Sequence, residues 1–227
     1  MTGKTGADDG KRAPLSAERI LRTAVLLADE RGIGALTMRG LADRLGVEAM
    51  SLYHHVPNKA AVLDGIVDAV FAEIELPSPG ADWRTAMRDR AFSAHAALTR
   101  HRWAIGLLDS RARPGPATLR HHDAVIGALR RAGFPSALAA HALSAIDSYV
   151  YGFVLQEASL PFDSASELAT VAGDMLDRMP ADTYPHLAEM ITEQALKPGG
   201  IREDAFGFGL DLLLDGLERR HRAQPSP

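Results

Sequence analysis

The sequence has no cysteine, few aromatic residues (6%) and no uninterrupted apolar run long enough to cross a bilayer. Without cysteine there can be no disulfide framework, zinc–thiolate site, iron–sulfur cluster or cysteine nucleophile. The first fourteen residues lack the apolar middle of a signal peptide, and a membrane helix needs about 18 consecutive apolar residues. These absences predict a cytoplasmic protein with no membrane partner.

The 227 residues are 46% hydrophobic and 24% charged, the balance of a globular chain with room for one large domain or two modest ones. The net charge of −4 argues against a protein that coats nucleic acid indiscriminately. Charge is unevenly distributed, because eight basic and five acidic residues between Lys11 and Lys59 give +3, whereas residues 60–227 carry −6. This asymmetry is expected when only the N-terminal part approaches phosphates.

Apolar residues recur at helical spacing almost throughout, and no segment alternates like a strand bounded by hairpin turns. The sequence therefore predicts an all-α chain. A cluster of proline and glycine at residues 77–80 is the best internal boundary. The predicted organisation is a disordered polar arm at 1–14, a first domain at 15–76, a second at 77–222 and a tail at 223–227.

Four short helices are predicted in the first domain and seven longer ones in the second. The first four run from near Ser16 to Gly32, from Thr37 to Gly46, from Ala49 to His54, and from Asn58 to just before Pro77, with Leu63, Ile66, Val67, Val70 and Ile74 on one face of the last. The others are predicted at Trp83–Arg100, Trp103–Asp109, Ala117–Ala132, Ser136–Glu157, Ala165–Met179, Tyr184–Gln194 and Arg202–Arg222.

The two short helices joined through Gly46 have the spacing of a helix-turn-helix, in which the second helix enters the DNA major groove. A helix about 10–12 Å wide fits a groove about 12 Å wide. Leu52 and Val56 are predicted to face the core, and Ala49, Met50, Ser51, Tyr53 and His54 to point outward. Helix-turn-helix geometry also occurs in helical scaffolds that bind no DNA, so spacing alone leaves both readings open.

The segment LTMRGLADRLGVEAMSLYHHVPNK at residues 36–59 closely resembles the DNA-binding domain of the tetracycline-repressor (TetR) family. HALSAIDSYVYGFVLQE at 141–157 and AFGFGLDLLLDGLER at 205–219 resemble the body of the tetracycline repressor. The resemblance implies a three-helix helix-turn-helix head with a connecting helix, followed by a larger helical body for ligand binding and dimerisation.

The resemblance also implies a division of labour on DNA. Arg39 is expected to read a base edge, and arginine can do so bidentately on guanine. The presumed groove face holds Ala49, Met50, Ser51 and His54. Phosphate-binding positions, which fix the register without reading sequence, are matched by Thr37, Tyr53, His55 and Lys59.

Catalytic and metal motifs are missing from the sequence, which predicts a protein that is not an enzyme and needs no cofactor. Adjacent residues on a helix diverge by about 100°, so neither His54-His55 nor His121-His122 is a natural chelate. The group His121-His122-Asp123 is left with three alternatives: a metal site, part of a ligand pocket, or surface. The pair Gly207 and Gly209 lies in a leucine-rich helix and indicates close packing.

The last predicted helix is apolar on two sides, and the resemblance implies that it pairs, together with Ser136–Glu157, with the same helices of a second copy. One stripe holds Phe206, Leu210, Leu213 and Leu217, and the other holds Ala205, Gly209, Leu212 and Gly216. The alternative is that both helices are core helices of a monomer.

The family resemblance further implies a small-molecule pocket that controls DNA binding. Leu108 or its neighbour, Ser148 and Gln156 stand where the tetracycline sensor has a histidine, a second histidine and a glutamate, so a magnesium–tetracycline chelate is not expected. The predicted effector is a small hydrophobic molecule. Its predicted lining is Trp103, Leu107, Leu108, His121, Tyr149, Phe153 and Gln156.

The resulting function is a homodimeric transcriptional repressor that a small hydrophobic ligand releases from a palindromic, double-stranded DNA operator. The alternative is a helical small-molecule-binding protein or enzyme without DNA readout. The operator sequence, the regulated genes, the effector's identity and whether it releases or promotes DNA binding do not follow from the sequence.

Overall fold

The computed structural model describes residues 14–108, 110–111, 113–161, 164–180, 183–196 and 204–223, and all regular elements in these ranges are helical. The predicted all-α class is confirmed. Apart from Pro14 and Ala223, the predicted polar arm and tail lie outside the described residues. The helices are α1 (Ala17–Arg31), α2 (Met38–Leu45), α3 (Ala49–Leu52), α4 (Lys59–Glu73), α5 (Trp83–Arg100), α6 (Ile105–Leu108), α7 (Pro116–Arg131), α8 (Ser136–Ser159), α9 (Ala165–Arg178), α10 (Pro185–Met190) and α11 (Ala205–Arg222).

Side-chain caps set where the N-terminal helices begin. Ser16, Thr37 and Asn58 each accept a hydrogen bond from the backbone amide three residues ahead, which satisfies an otherwise unpaired N–H at the start of α1, α2 and α4. Gly46 ends α2 in the left-handed conformation (φ 68°), which glycine adopts without steric cost. This glycine allows the sharp turn from α2 into α3.

A compact apolar core fixes α3 against α2. Leu41 and Leu45 from α2 are buried together with Leu52 and Val56, as the sequence predicts, and Ile20 of α1 completes the layer. Because one side of the short α3 segment is held in this way, its opposite side is displayed to solvent in a fixed orientation.

Helix α4 contributes to two cores. Val62 and Ile66 pack into the N-terminal core, whereas Val70 and Phe71 pack into the core of the following helices. Leu63, on the predicted apolar face, is half-buried and packs against the N-terminal core, whereas the neighbouring Val62, which the predicted face left out, is fully buried. A shift of α4 would therefore alter the packing of both the N-terminal and the C-terminal core.

The core of the C-terminal part is formed by α5, α7, α8 and α11, and includes the fully buried Met87, Leu129, Ile146 and Leu210. By length and hydropathy alone α8 could cross a membrane, contrary to the expectation that no segment approaches this limit. Its side bearing Ile146 instead lies in the core, which is typical of a central helix in a helical bundle.

Three predicted helices differ in detail. The segment at Trp103–Asp109 is a short 3-10 turn at Arg102–Ala104 followed by α6. The segment at Tyr184–Gln194 is α10 continued by a π-helical turn at Ile191–Ala195. The last helix is described from Ala205, and residues 201–203 before it lie outside the described part.

The predicted stripes on α11 are also corrected. Leu214, not Leu213, is buried beside Phe206, Leu210 and Leu217. Both leucines fit a helical stripe with these three residues, so the period alone does not choose between them. On the second stripe, a Cβ at Gly209 would lie 2.4 Å from the Tyr149 hydroxyl of the same chain. Gly209 therefore serves close packing between α11 and α8, whereas the atom nearest to a Cβ at Gly216 is Nη2 of Arg219, 4.0 Å away.

Candidate DNA-binding surface and effector cavities

The surface formed by α2, α3 and the start of α4 displays most of the predicted DNA-contacting residues. The exposed residues among them are Thr37, Arg39, Met50, Tyr53, His54, His55 and Lys59. The Met50 side chain is 72% exposed, which is unusual for a long apolar residue next to a tight core. Ala49 and Ser51 are half-buried, and Ala49 packs in part against the N-terminal core, so both are less exposed than the other residues of this surface.

Thr37 has two hydrogen-bonding roles available at the start of α2. Its Oγ1 accepts from the backbone amide of Gly40 at 3.0 Å and so caps the helix. The hydroxyl hydrogen is not used in that bond and remains a possible donor to a phosphate oxygen.

The cations on this surface differ in their ion pairing. Arg44 pairs with Glu30 of α1, whereas Arg39 and Lys59 form no ion pair within the described part of the chain. Arg39 is the second residue of α2 and Lys59 the first of α4. Their charges are therefore available to an external anion. In the sequence, Arg39 precedes α3 and Lys59 follows it.

The seven predicted ligand-lining residues do not surround one cavity. Trp103 lies where the N-terminal and C-terminal cores meet, and its indole Nε1 donates to Asp29 of α1 at 2.6 Å. Leu107 is half-buried against the C-terminal core. Leu108, Phe153 and Gln156 border two different cavities, described below.

His121 belongs to the protein core. Its ring is completely buried, and Nε2 accepts a hydrogen bond from Nε of Arg90, which is itself buried, at 3.0 Å. Burial and the adjacent Arg90 guanidinium lower the pKa of His121 to about 3. Because the ring is neutral and Nε2 accepts, its proton resides on Nδ1. Of the three alternatives for the group at 121–123, the surface role is wrong for His121.

Tyr149 is likewise held within the chain. Its hydroxyl donates to the carbonyl oxygen of Phe206 at 2.8 Å, and its ring stacks on the Phe206 ring with centroids 5.4 Å apart. Burial raises the pKa of the phenol. The residue fastens α8 to the start of α11.

A cavity of about 360 Å³ lies between the end of α8, α9, α10 and the start of α11, and is called here the α8–α10 cavity. Phe153 and Gln156 from the predicted set line it. Most of the remaining lining is apolar: Leu160, Leu168, Val171, Ala172, Met175, Leu187, Met190, Ile191, Ala195 and Ala205, with Glu157 as the exception.

A second cavity, the α7–α8 cavity, has a volume of about 320 Å³ and a more polar wall. Leu108, His122 and Ser148 border it, together with Asp147. Asp147 forms an ion pair with the buried Arg90, which also carries the hydrogen bond to His121. Sequence reasoning missed Arg90, since an arginine among polar residues of α5 reads as part of a solvated face.

A polar junction, also missed from the sequence, connects the N-terminal helices to the C-terminal part. His101 is 6% exposed; its Nδ1 donates to Asp29 of α1 at 2.8 Å, and its Nε2 lies 3.1 Å from Glu73 of α4. Asp29 also accepts from Trp103, just before α6. This junction links α1 and α4, the helices on either side of the helix-turn-helix, to the segment that leads into Leu108.

No group of three or more histidine, aspartate or glutamate side chains within the described ranges has the arrangement of a metal site. His122 hydrogen-bonds the carbonyl oxygen of Thr118 at 2.9 Å through Nδ1 and therefore has one ring nitrogen already engaged. The exposed His54 and His55 lie on the α3 surface instead.

Comparison with known proteins identifies the family. A family model for bacterial regulatory proteins of the tetR family matches residues 20–66, and one for the tetracyclin repressor-like C-terminal domain matches residues 76–221. The chain is 32% identical over 221 residues to the HTH-type transcriptional repressor DrrR1 of Streptomyces coeruleorubidus, covering 92% of this chain and 79% of that one.

Two further comparisons span most of both chains. The chain is 33% identical over 209 residues to the class A tetracycline repressor of transposon 1721 from Escherichia coli, covering 91% and 92%. The crystal structure of Streptomyces coelicolor ActR in complex with actinorhodin superposes with a TM-score of 0.76 at 28% identity, covering 92% and 98%. With its helix-turn-helix and its helical body both matched, the chain belongs to the TetR family of DNA-binding transcriptional regulators.

Proposed function

We propose that the chain is a homodimeric repressor, acting in the cytoplasm, that binds a palindromic DNA operator and is released by a small hydrophobic effector. The proposal treats residues 15–76 as the DNA-binding domain and 77–222 as the ligand-binding and dimerisation domain, and assigns the chain no catalytic step. The observation that carries it is the surface of α2, α3 and the start of α4, where Met50, Tyr53 and the cations Arg39 and Lys59 are all exposed while Leu52 and Val56 anchor α3 in the core.

DNA contacts follow from this surface. Arg39 is assigned to a base edge, and Ala49, Met50, Ser51 and His54 to the groove, where methyl groups can contact thymine. Thr37, Tyr53, His55 and Lys59 are assigned to phosphates. The half-buried position of Ala49 limits it to contact through its methyl group at the edge of the surface.

A second copy supplies the second half-site. One short groove-reading segment makes too few contacts for useful specificity, so such proteins pair and read two half-sites. Phe208 and Leu212 on α11 are 68% and 57% exposed, and Leu155 on α8 is 50% exposed. Two helices with large apolar side chains in water are suited to pairing with the same helices of another copy.

The effector is assigned to the helical body. ActR is a solved relative in complex with actinorhodin, which supports a body that accepts a small organic molecule. Leu108 and Ser148 border the α7–α8 cavity and Gln156 the α8–α10 cavity, so none of these three positions offers a carboxylate or imidazole to a metal chelate. We therefore assign a metal-free, largely apolar effector, with Phe153 and Gln156 as lining residues. The other predicted residues that line neither cavity are assigned to helix packing: Trp103, Leu107, His121 and Tyr149.

The test compares Arg39→Ala with Lys59→Ala on a palindrome from the DNA upstream of the gene and on a scrambled duplex. Arg39→Ala is expected to cost about 1–3 kcal/mol on the palindrome and little on the scrambled duplex, because it removes a base contact. Lys59→Ala is expected to weaken both duplexes alike and to reduce the salt slope. Equal losses on both duplexes for Arg39→Ala would assign it to a phosphate instead.

A further inference from the structure

In the part of the chain that the structure describes, the wall of the α8–α10 cavity is largely apolar and includes one charged side chain. Among the described residues that line it, Glu157 is the only charged one, and Gln156 is the only other side chain with a strongly polar end. Leu168, Met175 and Ile191 from three successive elements face the same space. A ligand of this cavity therefore meets apolar surface on most sides and a negative charge at one end.

The Glu157 carboxylate is held in place by His95 of α5. Nε2 of His95 donates to Oε2 of Glu157 at 2.8 Å. The His95 ring lies against the Phe206 ring with centroids 4.4 Å apart and meets the Phe153 ring edge-on at 5.7 Å. Two aromatic rings thus fix the imidazole, and the imidazole in turn fixes the carboxylate.

Glu157 keeps hydrogen-bonding capacity for a ligand. A carboxylate offers about four lone-pair positions, of which the bond from His95 occupies one. The Glu157 side chain is 26% exposed, so it is accessible to a molecule inside the cavity while partly shielded from bulk water. In such surroundings a hydrogen bond between opposite charges is stronger than one between neutral groups.

We propose that the α8–α10 cavity binds an organic cation: an aromatic or aliphatic body that fills the apolar space, with one protonated amine that pairs with Glu157. This inference rests on the proposed effector function, since it names the chemical class of the effector. A carboxylate-bearing ligand of the same shape would be repelled by Glu157, and a neutral one would gain only the apolar contacts.

Calorimetric titration of the full-length protein with two matched probes tests the inference. Naphthylmethylamine carries the cation, and naphthylmethanol has nearly the same shape without charge. Wild-type protein is expected to bind the amine at least about tenfold more tightly than the alcohol, the usual gain from one charged hydrogen bond. In Glu157→Gln the two probes are expected to bind equally, at the affinity of the alcohol.

The variant is conservative, because the glutamine amide oxygen can still accept the hydrogen bond from His95. Glu189→Gln is the matched control: it removes the same charge from an exposed position on α10 that does not line the cavity. Glu189→Gln should keep the wild-type preference for the amine.

Three results would overturn the inference: equal affinity of wild-type protein for both probes, no binding of either probe, or an unchanged amine preference in Glu157→Gln. A gel-shift titration with operator DNA separates this from the proposed function. If the amine binds through Glu157 and leaves DNA binding unaffected, the cation site stands and the effector assignment fails; if DNA does not bind at all, the repressor proposal fails independently.

Discussion

Replacement of His121 by glutamine is expected to make the protein less sensitive to acid. The ring is fully buried, and its pKa is lowered to about 3, first by burial and second by the neighbouring positive charge of Arg90. An unfolded histidine has a pKa near 6.5. Below that pH the unfolded chain binds a proton that the folded chain rejects, so this residue lowers stability as the pH falls from about 6.5 towards 3.

The magnitude follows from the pKa difference. Each pH unit below about 6.5 costs close to 1.4 kcal/mol per chain, so between pH 7 and pH 5 His121 alone removes about 2 kcal/mol from the free energy of unfolding. The glutamine amide oxygen can accept the bond from Nε of Arg90 that Nε2 of His121 accepts, at 3.0 Å in the wild type. His121→Gln therefore removes the titration while retaining a partner for the buried guanidinium.

Urea denaturation at pH 7 and pH 5, at one protein concentration, measures the effect. Between the two pH values wild-type protein should lose about 2 kcal/mol more than His121→Gln. His141→Gln, at an exposed position of α8, is the control and should follow the wild type. Identical losses for wild type and His121→Gln would show that the buried ring is not held neutral, and would refute the reasoning.

Three further substitutions have matched controls elsewhere in the chain. Gly209→Ala places a Cβ 2.4 Å from the Tyr149 hydroxyl and should lower the free energy of unfolding by about 1–3 kcal/mol in urea denaturation. Gly216→Ala, where the nearest atom is 4.0 Å away, should not lower it. Equal effects of the two substitutions would refute the packing argument. Leu212→Glu should convert the dimer to single chains, as measured by light scattering. Leu119→Glu, at an equally exposed position (57%) on α7, should leave the dimer intact. If Leu212→Glu remained dimeric, α11 would not be part of the interface. Asp29→Ala withdraws the acceptor shared by His101 and Trp103 and should lower the free energy of unfolding by about 2–4 kcal/mol, against about 0.5 kcal/mol or less for the exposed Asp43→Ala.

The helices of the head were predictable because their signals are local. Ser16, Thr37 and Asn58 each precede an amphipathic segment and cap it, and Gly46 is the residue that the sharp turn requires. The buried positions Leu52 and Val56 follow from helical spacing alone. Helical spacing alone could not decide which of the adjacent residues Val62 and Leu63 is more deeply buried, because that depends on what packs against α4.

The interior polar groups were not predictable, because their partners are distant in sequence. Arg90 meets His121 31 residues away, and His95 meets Glu157 62 residues away. A charged residue on a helix is normally exposed to water. Its burial costs free energy unless a partner on another helix pairs with it, and the sequence does not show which residue that partner is. The predicted ligand-lining residues do not form one cavity, because the packing of distant helices decides where a cavity lies. Helical spacing identifies the apolar side chains of α8 but not which side of α8 borders each cavity.

The most direct test of the central claim is fluorescence anisotropy of the full-length protein on a labelled palindrome from the DNA upstream of its gene and on a scrambled duplex, over a range of salt concentrations. The account predicts two chains per palindrome, an affinity at least about 10³-fold higher than for the scrambled duplex, and a linear, steep fall of log affinity with log salt. Equal affinity for the palindrome and the scrambled duplex, or binding of a single chain, would contradict it.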